Sequence, residues 1–193
     1  NWNNNFTWAK WVTPSRDLIS AFKQEGDEVR FKESIVYYDC NWSNYYPSDN
    51  YPFMYKCRSA NSSIIKFRYA DVLLLKAEAL IMQDTPDLEG AADIIDEVRD
   101  RAKLGALPTS VRSNKNVLLN ALLKERRLEL AFEGQRWFDL VRLDKVEEVM
   151  NAVYAKDSGR KAQIYTFDKN SYRLPIPQSV IDANDKIHQN PGY

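Results

Sequence analysis

Glu125 and Glu129 stand four residues apart, and Phe132 and Arg136 follow at the spacing of one helical face. At ~100° per residue, Leu118, Leu122, Glu125, Glu129, Phe132 and Arg136 share an arc of roughly 80°, whereas Asn120, Lys124 and Arg127 lie elsewhere on the helix. Two carboxylates in an apolar arc have two chemical uses. One is the acid and base pair that cleaves a glycosidic bond. The other is a buried ion network that fixes how helices cross, since an unpaired buried ion is strongly destabilising. Arg68, Arg99, Arg101, Arg126 and Arg136 are at hand, with Asp71 and Glu78 from a second apolar helix. Guanidinium neighbours hold carboxylates ionised instead of tuning one upward to act as an acid. The network is therefore the favoured reading, and no catalytic residue is assigned.

A second set of residues suits binding. Sugars present C–H faces that stack on aromatic rings, with amides, carboxylates and guanidiniums closing hydrogen bonds at the rim. Residues 1–11 carry Trp2, Phe6, Trp8 and Trp11 among four asparagines, and residues 42–55 carry Trp42, Tyr45, Tyr46, Tyr51, Phe53 and Tyr55 with Asn44, Asp49 and Asn50. The candidate ligand-binding residues are Trp8, Trp11, Trp42, Asn44, Tyr45, Tyr46 and Asp49. The competing role for the same rings is packing the loops onto helices. Trp137 and Phe138, on an apolar helix, are read as core.

Composition narrows the classes. The 193 residues include 27 basic and 27 acidic side chains, a net charge of zero that disfavours nucleic acid as a partner. An apolar content of 44% with 12% aromatics suffices for a packed core. A mean hydropathy of −0.55, with no apolar run of ~18 residues, gives no membrane-spanning helix. His188 is the only histidine and Cys40 and Cys57 the only cysteines, too few soft ligands for a structural zinc site, so no metal or cofactor is expected. Cys40 and Cys57 close a loop of 18 residues, both ends counted; as a disulfide they would add about 3 kcal/mol and imply an oxidising compartment, and otherwise they are two free, partly buried thiols. The chain opens at Asn1 in a Trp-rich stretch and reads as part of something longer, with any export signal upstream.

The elements that must position these groups follow from periodicity. The whole chain reads as one domain of three textures: 1–66 irregular and aromatic, 67–143 helical, 144–193 mixed. In the first, Thr13-Pro14 starts a helix with Leu18, Ile19 and Phe22 on one face, stopped by Gly26. Val29–Tyr38 alternates as a strand, and 41–55 reads as a long loop. In the second, Tyr69–Gln83 is apolar almost all round and predicts a fully buried helix. A cap at Thr85-Pro86 starts a second helix striped by Leu88, Ala92, Ile95 and Val98, and a third runs from about Lys115 to a bend at Gly134. Two helices joined by a short turn have the texture of a tetratricopeptide-type repeat, which needs further helices against it. In the third, Ile164–Leu174 suggests a β-hairpin, Leu174–Pro177 is extended, and Gln178–Asn184 forms a short helix. The fold class is thus mainly α: helical hairpins with irregular aromatic loops and a small β-hairpin.

Several of these segments carry recognisable motifs. RYADVLLLKAEA (68–79) resembles the RxADVLLLxAEA helix of the SusD/RagB family, and ERRLELAFEGQRWFDLVR (125–142) resembles its ERRxELxFEGxRxxDLxR segment. LPIP (174–177) and QNPGY (189–193) resemble its C-terminal signatures, and residues 13–38 are similar more loosely. The resemblance implies a superhelix of tetratricopeptide-like helices in an outer-membrane lipoprotein facing the cell exterior. It implies a nutrient receptor, usually for a glycan, that caps a SusC-like TonB-dependent transporter, held to the membrane by a lipid anchor outside this chain. On that basis the leading expectation is a non-catalytic oligosaccharide-binding protein that delivers its ligand to the transporter. The alternative is a protein-interaction scaffold of helical repeats that binds no sugar.

Overall fold

The computed structural model describes residues 12–56, 65–156 and 167–193. The chain forms two compact units, Asn1–Arg136 and Trp137–Tyr193.

The first unit opens with α1 (Arg16–Glu25), capped at its start by Ser15, whose hydroxyl accepts from the Leu18 N–H at 3.1 Å. Ser15, not Thr13, is therefore the cap, and Pro14 lies outside the helix. Gly26 ends it at φ 70°, with its N–H on Lys23 O and the Asp27 N–H on Phe22 O; this double bond pattern needs a left-handed residue, which glycine supplies without a Cβ clash. The predicted strand over Val29–Tyr38 is corrected. Asp27 caps a helix, α2 (Glu28–Ser34), and only Ile35–Tyr38 is extended as β1. The reason is local: the Asp27 carboxylate accepts from the Arg30 N–H at 3.1 Å, and Lys32 pairs with Glu28 one turn back. Such charged residues are better helix formers than strand formers. The loop predicted over 41–55 is also shorter, because Tyr51–Met54 is a strand, β2, paired antiparallel with β1 from Ile35↔Met54 to Tyr38↔Tyr51.

The helical part contains α3 (Tyr69–Met82), α4 (Leu88–Arg101), α5 (Thr109–Arg112) and α6 (Lys115–Glu129). Asp87 caps α4 and Asn114 caps α6. Leu74, Ala77 and Ile81 of α3, Ala92 and Ile95 of α4, and Leu118 and Leu122 of α6 form a core with no exposed surface. Ala77 and Ala91 let α3 and α4 approach closely. The expectation that α3 is buried all round is not met: Val72 is 53% exposed and Met82 52%, with Tyr69 and Leu75 also exposed. Its packed neighbours are α4 and α6, and two helices cover only part of a helix circumference. A second cluster ties α1 and β1 to the end of α6 through Ile19, Phe22, Ile35, Leu128 and Ala131.

Beyond α6 the chain turns at Phe132 (φ 67°) and Gly134 (φ 80°) and enters α7 (Arg136–Arg142). The second unit continues with α8 (Val146–Lys156) and ends in α9 (Gln178–Asp182). The hairpin predicted over 164–174 is not formed where the residues are described; Lys169–Tyr172 is a 3₁₀ turn. The Asp168 carboxylate accepts from the Asn170 N–H at 2.9 Å and closes a local turn in place of a ladder. The fold does contain one small hairpin, at β1–β2. Trp137 is half-buried against Phe167 and Tyr172, but Phe138 is 66% exposed and is not core. The two C-terminal motifs meet: the Gln189 amide donates to Ile176 O at 2.9 Å and accepts from the Ile176 N–H at 2.8 Å, while Asn190 donates to Leu174 O. One glutamine thus satisfies the backbone of a segment whose prolines have no N–H to offer. Gly192 fits because a Cβ there would meet Asn170 at 2.6 Å.

Candidate functional site

The Glu125 and Glu129 carboxylates are engaged by guanidiniums. Arg30 donates to Asp27 at 2.5 Å, Glu125 at 2.6 Å and Glu129 at 3.0 Å. Arg68 joins Glu129 at 2.5 Å and Glu133 at 2.8 Å, Arg101 reaches Glu129, and Arg99 bridges Glu25 and Glu125. Arg126 pairs with Asp71 at 2.8 Å, joining α6 to α3. Lys56 completes the cluster, donating to Glu129 O and pairing with Glu133. Arg68, Arg99, Arg101 and Arg126 were foreseen as partners. Arg136 donates to Leu123 O at 3.0 Å. Arg30 and Lys56 were missed: Arg30 lies in the segment read as strand, and Lys56 lies just past the loop read over 41–55, in the irregular first part.

Burial pushes the Glu129 carboxyl up, but the bond and charge of Arg68, the bond of Arg30 and the charge of Arg101 outweigh it and hold the value below the ordinary range. Burial leaves Glu125 raised despite Arg30 and Arg99. Because the folded value of Glu129 is depressed, its contribution to stability is present above the unfolded value of ~4.3 and is lost as pH falls through the folded value. Glu125 carries the opposite slope: its contribution is full below the ordinary value and declines as pH rises through the raised one. Glu129→Gln should therefore be destabilised at neutral pH, and its gap from the parent should close as pH falls below about 4. Urea midpoints across that range measure this; a constant gap would refute it.

The aromatic residues build a different kind of place. The paired strands β1 and β2 are joined by residues 39–50, and the Cys40 N–H donates to Ser48 O at 2.7 Å to pinch the base of the loop. Five rings run in series from this base: Tyr45–Tyr46 at 4.8 Å, Tyr46–Tyr51 at 5.5 Å, Tyr51–Phe53 at 5.1 Å and Phe53–Trp42 at 5.8 Å. The middle of the series is buried, with Tyr51 at 3% and Phe53 at 1% exposure, whereas Trp42 at its end is 56% exposed. The loop is tied to the start of α1: the Tyr46 hydroxyl donates to Pro14 O at 2.8 Å, and Arg16 lies 4.0 Å above the Tyr45 ring and donates to Tyr45 O. Ser43 and Tyr51 share a hydroxyl bond of 2.8 Å.

Residues 40–48 line an open cleft of about 860 Å³. It brings together Trp42, Asn44, Tyr45 and Tyr46 of the candidate residues. Asp49 sits outside it, in an adjoining groove of about 410 Å³ with Asp39, and Cys40, Asn41 and Ser48 belong to both. Trp8, Trp11 and Cys57 lie outside the described residues, and Cys40 is a buried thiol. Within the cleft the rings differ in what they offer. Trp42 presents an open indole over a buried ring, while Tyr46 spends its edge on Tyr45 and Tyr51 and its hydroxyl on backbone. Arg16 and Asn41 were not foreseen; nothing in the sequence pattern connects a residue in the first turn of α1 to a loop some 30 positions on. Among the described residues no group of three metal-ligating side chains is placed to hold an ion.

The SusD family model matches residues 48–193. SusD-like protein P38 of Formosa agariphila is 44% identical over 99 residues, which are 48% of this chain and 19% of that protein. Among solved structures, a SusD homologue from Bacteroides thetaiotaomicron superposes with a TM-score of 0.70 at 24% identity, over 92% of this chain and 43% of that one. A structure described as a laminarin-binding SusD-like protein is 28% identical, with a TM-score of 0.57 over 99% of this chain and 42% of the other. The chain therefore spans about a fifth of that curated relative and less than half of either solved chain.

Proposed function

The chain belongs to the SusD family, and on that premise we propose that it is a non-catalytic glycan-binding protein of the cell surface, with the cleft over residues 40–48 as its binding site. In this reading residues 1–193 serve as its C-terminal domain. An anchor outside this chain holds it to the outer membrane, and the captured oligosaccharide passes to a SusC-like TonB-dependent transporter. The observation that carries the reading is Trp42, 56% exposed at the mouth of an 860 Å³ cleft and backed by the buried Phe53 ring. Half-open indoles over a fixed support suit the C–H face of a sugar, and the Asn41 and Asn44 amides are at hand for its hydroxyls. The laminarin-binding relative supports a glycan as the ligand class. The non-catalytic part rests on Glu125 and Glu129, the carboxylates best placed by sequence, being occupied by arginines.

The test is calorimetric titration with a panel of plant, mucin and storage oligosaccharides, with thin-layer chromatography of each mixture. One glycan class should bind saturably and no smaller sugars should appear. Trp42→Ala should weaken that binding about tenfold or more, a loss of ~1.4 kcal/mol or greater. New products would overturn the receptor reading. The exposed Val72, Leu75 and Met82 stripe on α3 favours the scaffold alternative, which gains if the protein binds a transporter but no sugar.

A further inference from the structure

Resting on the cleft as the glycan site, we infer that it takes an uncharged oligosaccharide and discriminates against sulfated or uronic-acid-bearing chains. Three observations carry this. First, none of the described residues lining the cleft is charged; its polar groups are hydroxyls and the Asn41 and Asn44 amides, which match sugar hydroxyls and offer no counter-ion to a sulfate or carboxylate. Second, the cation at its edge is turned inward. The Arg16 guanidinium lies 4.0 Å from the Tyr45 ring centre and 5.0 Å from that of Tyr46, and donates to Tyr45 O. To grip an anion it would have to leave the rings that it helps to hold. Third, the groove that continues the cleft carries Asp39 and Asp49, both exposed. An anionic glycan long enough to run from the Trp42 platform into that groove would meet two carboxylates and, among the described lining residues, no cation. A neutral chain would meet hydrogen-bonding groups there, the carboxylates as acceptors and Asn41 and Ser48 as donors or acceptors.

Like charges brought together across a site cost affinity and so discriminate against the like-charged ligand, and the cost is screened by salt. The experiment titrates the protein with neutral β-1,3-glucan, α-1,4-glucan and mannan oligosaccharides and with a chemically sulfated form of each. At low ionic strength the neutral form of the preferred glycan should bind about tenfold or more tightly than its sulfated form. That ratio should shrink several-fold at about 1 M salt, where the screening length falls to ~3 Å, and in the Asp39→Asn/Asp49→Asn variant. Equal or tighter binding of the sulfated form overturns the inference and leaves the glycan reading standing. So does a ratio that neither salt nor the variant moves, since it would assign the discrimination to shape. Binding of neither form of any glycan overturns the glycan reading, and the inference with it.

Discussion

Replacing Arg30 by leucine lowers the stability of the fold by about 3–5 kcal/mol, the usual cost of deleting one partner of a buried ion pair. Arg30 is 8% exposed and the carboxylates it serves less so: Asp27 at 1%, Glu125 at 1% and Glu129 at 2%. Without it, Glu129 keeps Arg68 and Arg101, but Glu125 keeps only the 3.4 Å contact with Arg99 in this network. Asp27 also loses the partner that fixes its side chain while it caps α2. For a chain of this length, the thermal midpoint should fall by about 6–20 °C. Pairing the change with Glu125→Gln should recover part of the loss, because the second substitution removes the charge that the first leaves uncompensated. A thermal melt by circular dichroism within about 2 °C of the parent would show that the guanidinium contributes little.

Phe53→Ala should act on stability and on binding together. Phe53 is 1% exposed and lies between Tyr51 and Trp42, so its loss opens a cavity under the loop and removes the support of the exposed indole. Truncating a buried phenylalanine costs about 3–5 kcal/mol, and the protein that stays folded should bind its glycan about tenfold more weakly. Phe53→Leu separates the two effects: it refills most of the volume and should restore most of the midpoint, whereas affinity should return only in part because the ring is gone. Full affinity in Phe53→Ala, measured by calorimetry below its melting temperature, would mean that Trp42 holds its position without Phe53, or that the ligand sits elsewhere.

What could be read in advance divides along physical lines. The helices α3, α4 and α6 were legible because a stripe of apolar residues at helical period must face a core. The charged network was legible because Glu125 and Glu129 interrupt such a stripe. Its centre was not: Arg30 falls in a segment whose Phe31, Ile35 and Tyr37 share parity, and the Asp27 cap that turns 28–34 into a helix acts through one carboxylate. Strand β2 was hidden by Pro52, a residue that argues against a strand and is tolerated here in a two-stranded edge, opposite Tyr37. The exposed side of α3 was misread because hydropathy reports what a face could bury, not what stands against it. In the loop, composition found the aromatic cluster but did not rank its rings. That Tyr46 is committed to Pro14 while Trp42 is exposed depends on contacts that no local pattern encodes, such as the bond across 32 positions from Tyr46 to Pro14.

The pinched base of the 39–50 loop bears on how such a protein diversifies. Both ends of the loop are set by the β1–β2 register and by the Cys40–Ser48 backbone bond. The arginine network that holds the helices together lies in other residues altogether. Heritable change can therefore rewrite the exposed positions between the strands, Trp42, Asn44 and Asp49 among them, much as hypervariable segments are rewritten on an immune receptor, with little penalty to folding, whereas Cys40 and Tyr46 are held by packing.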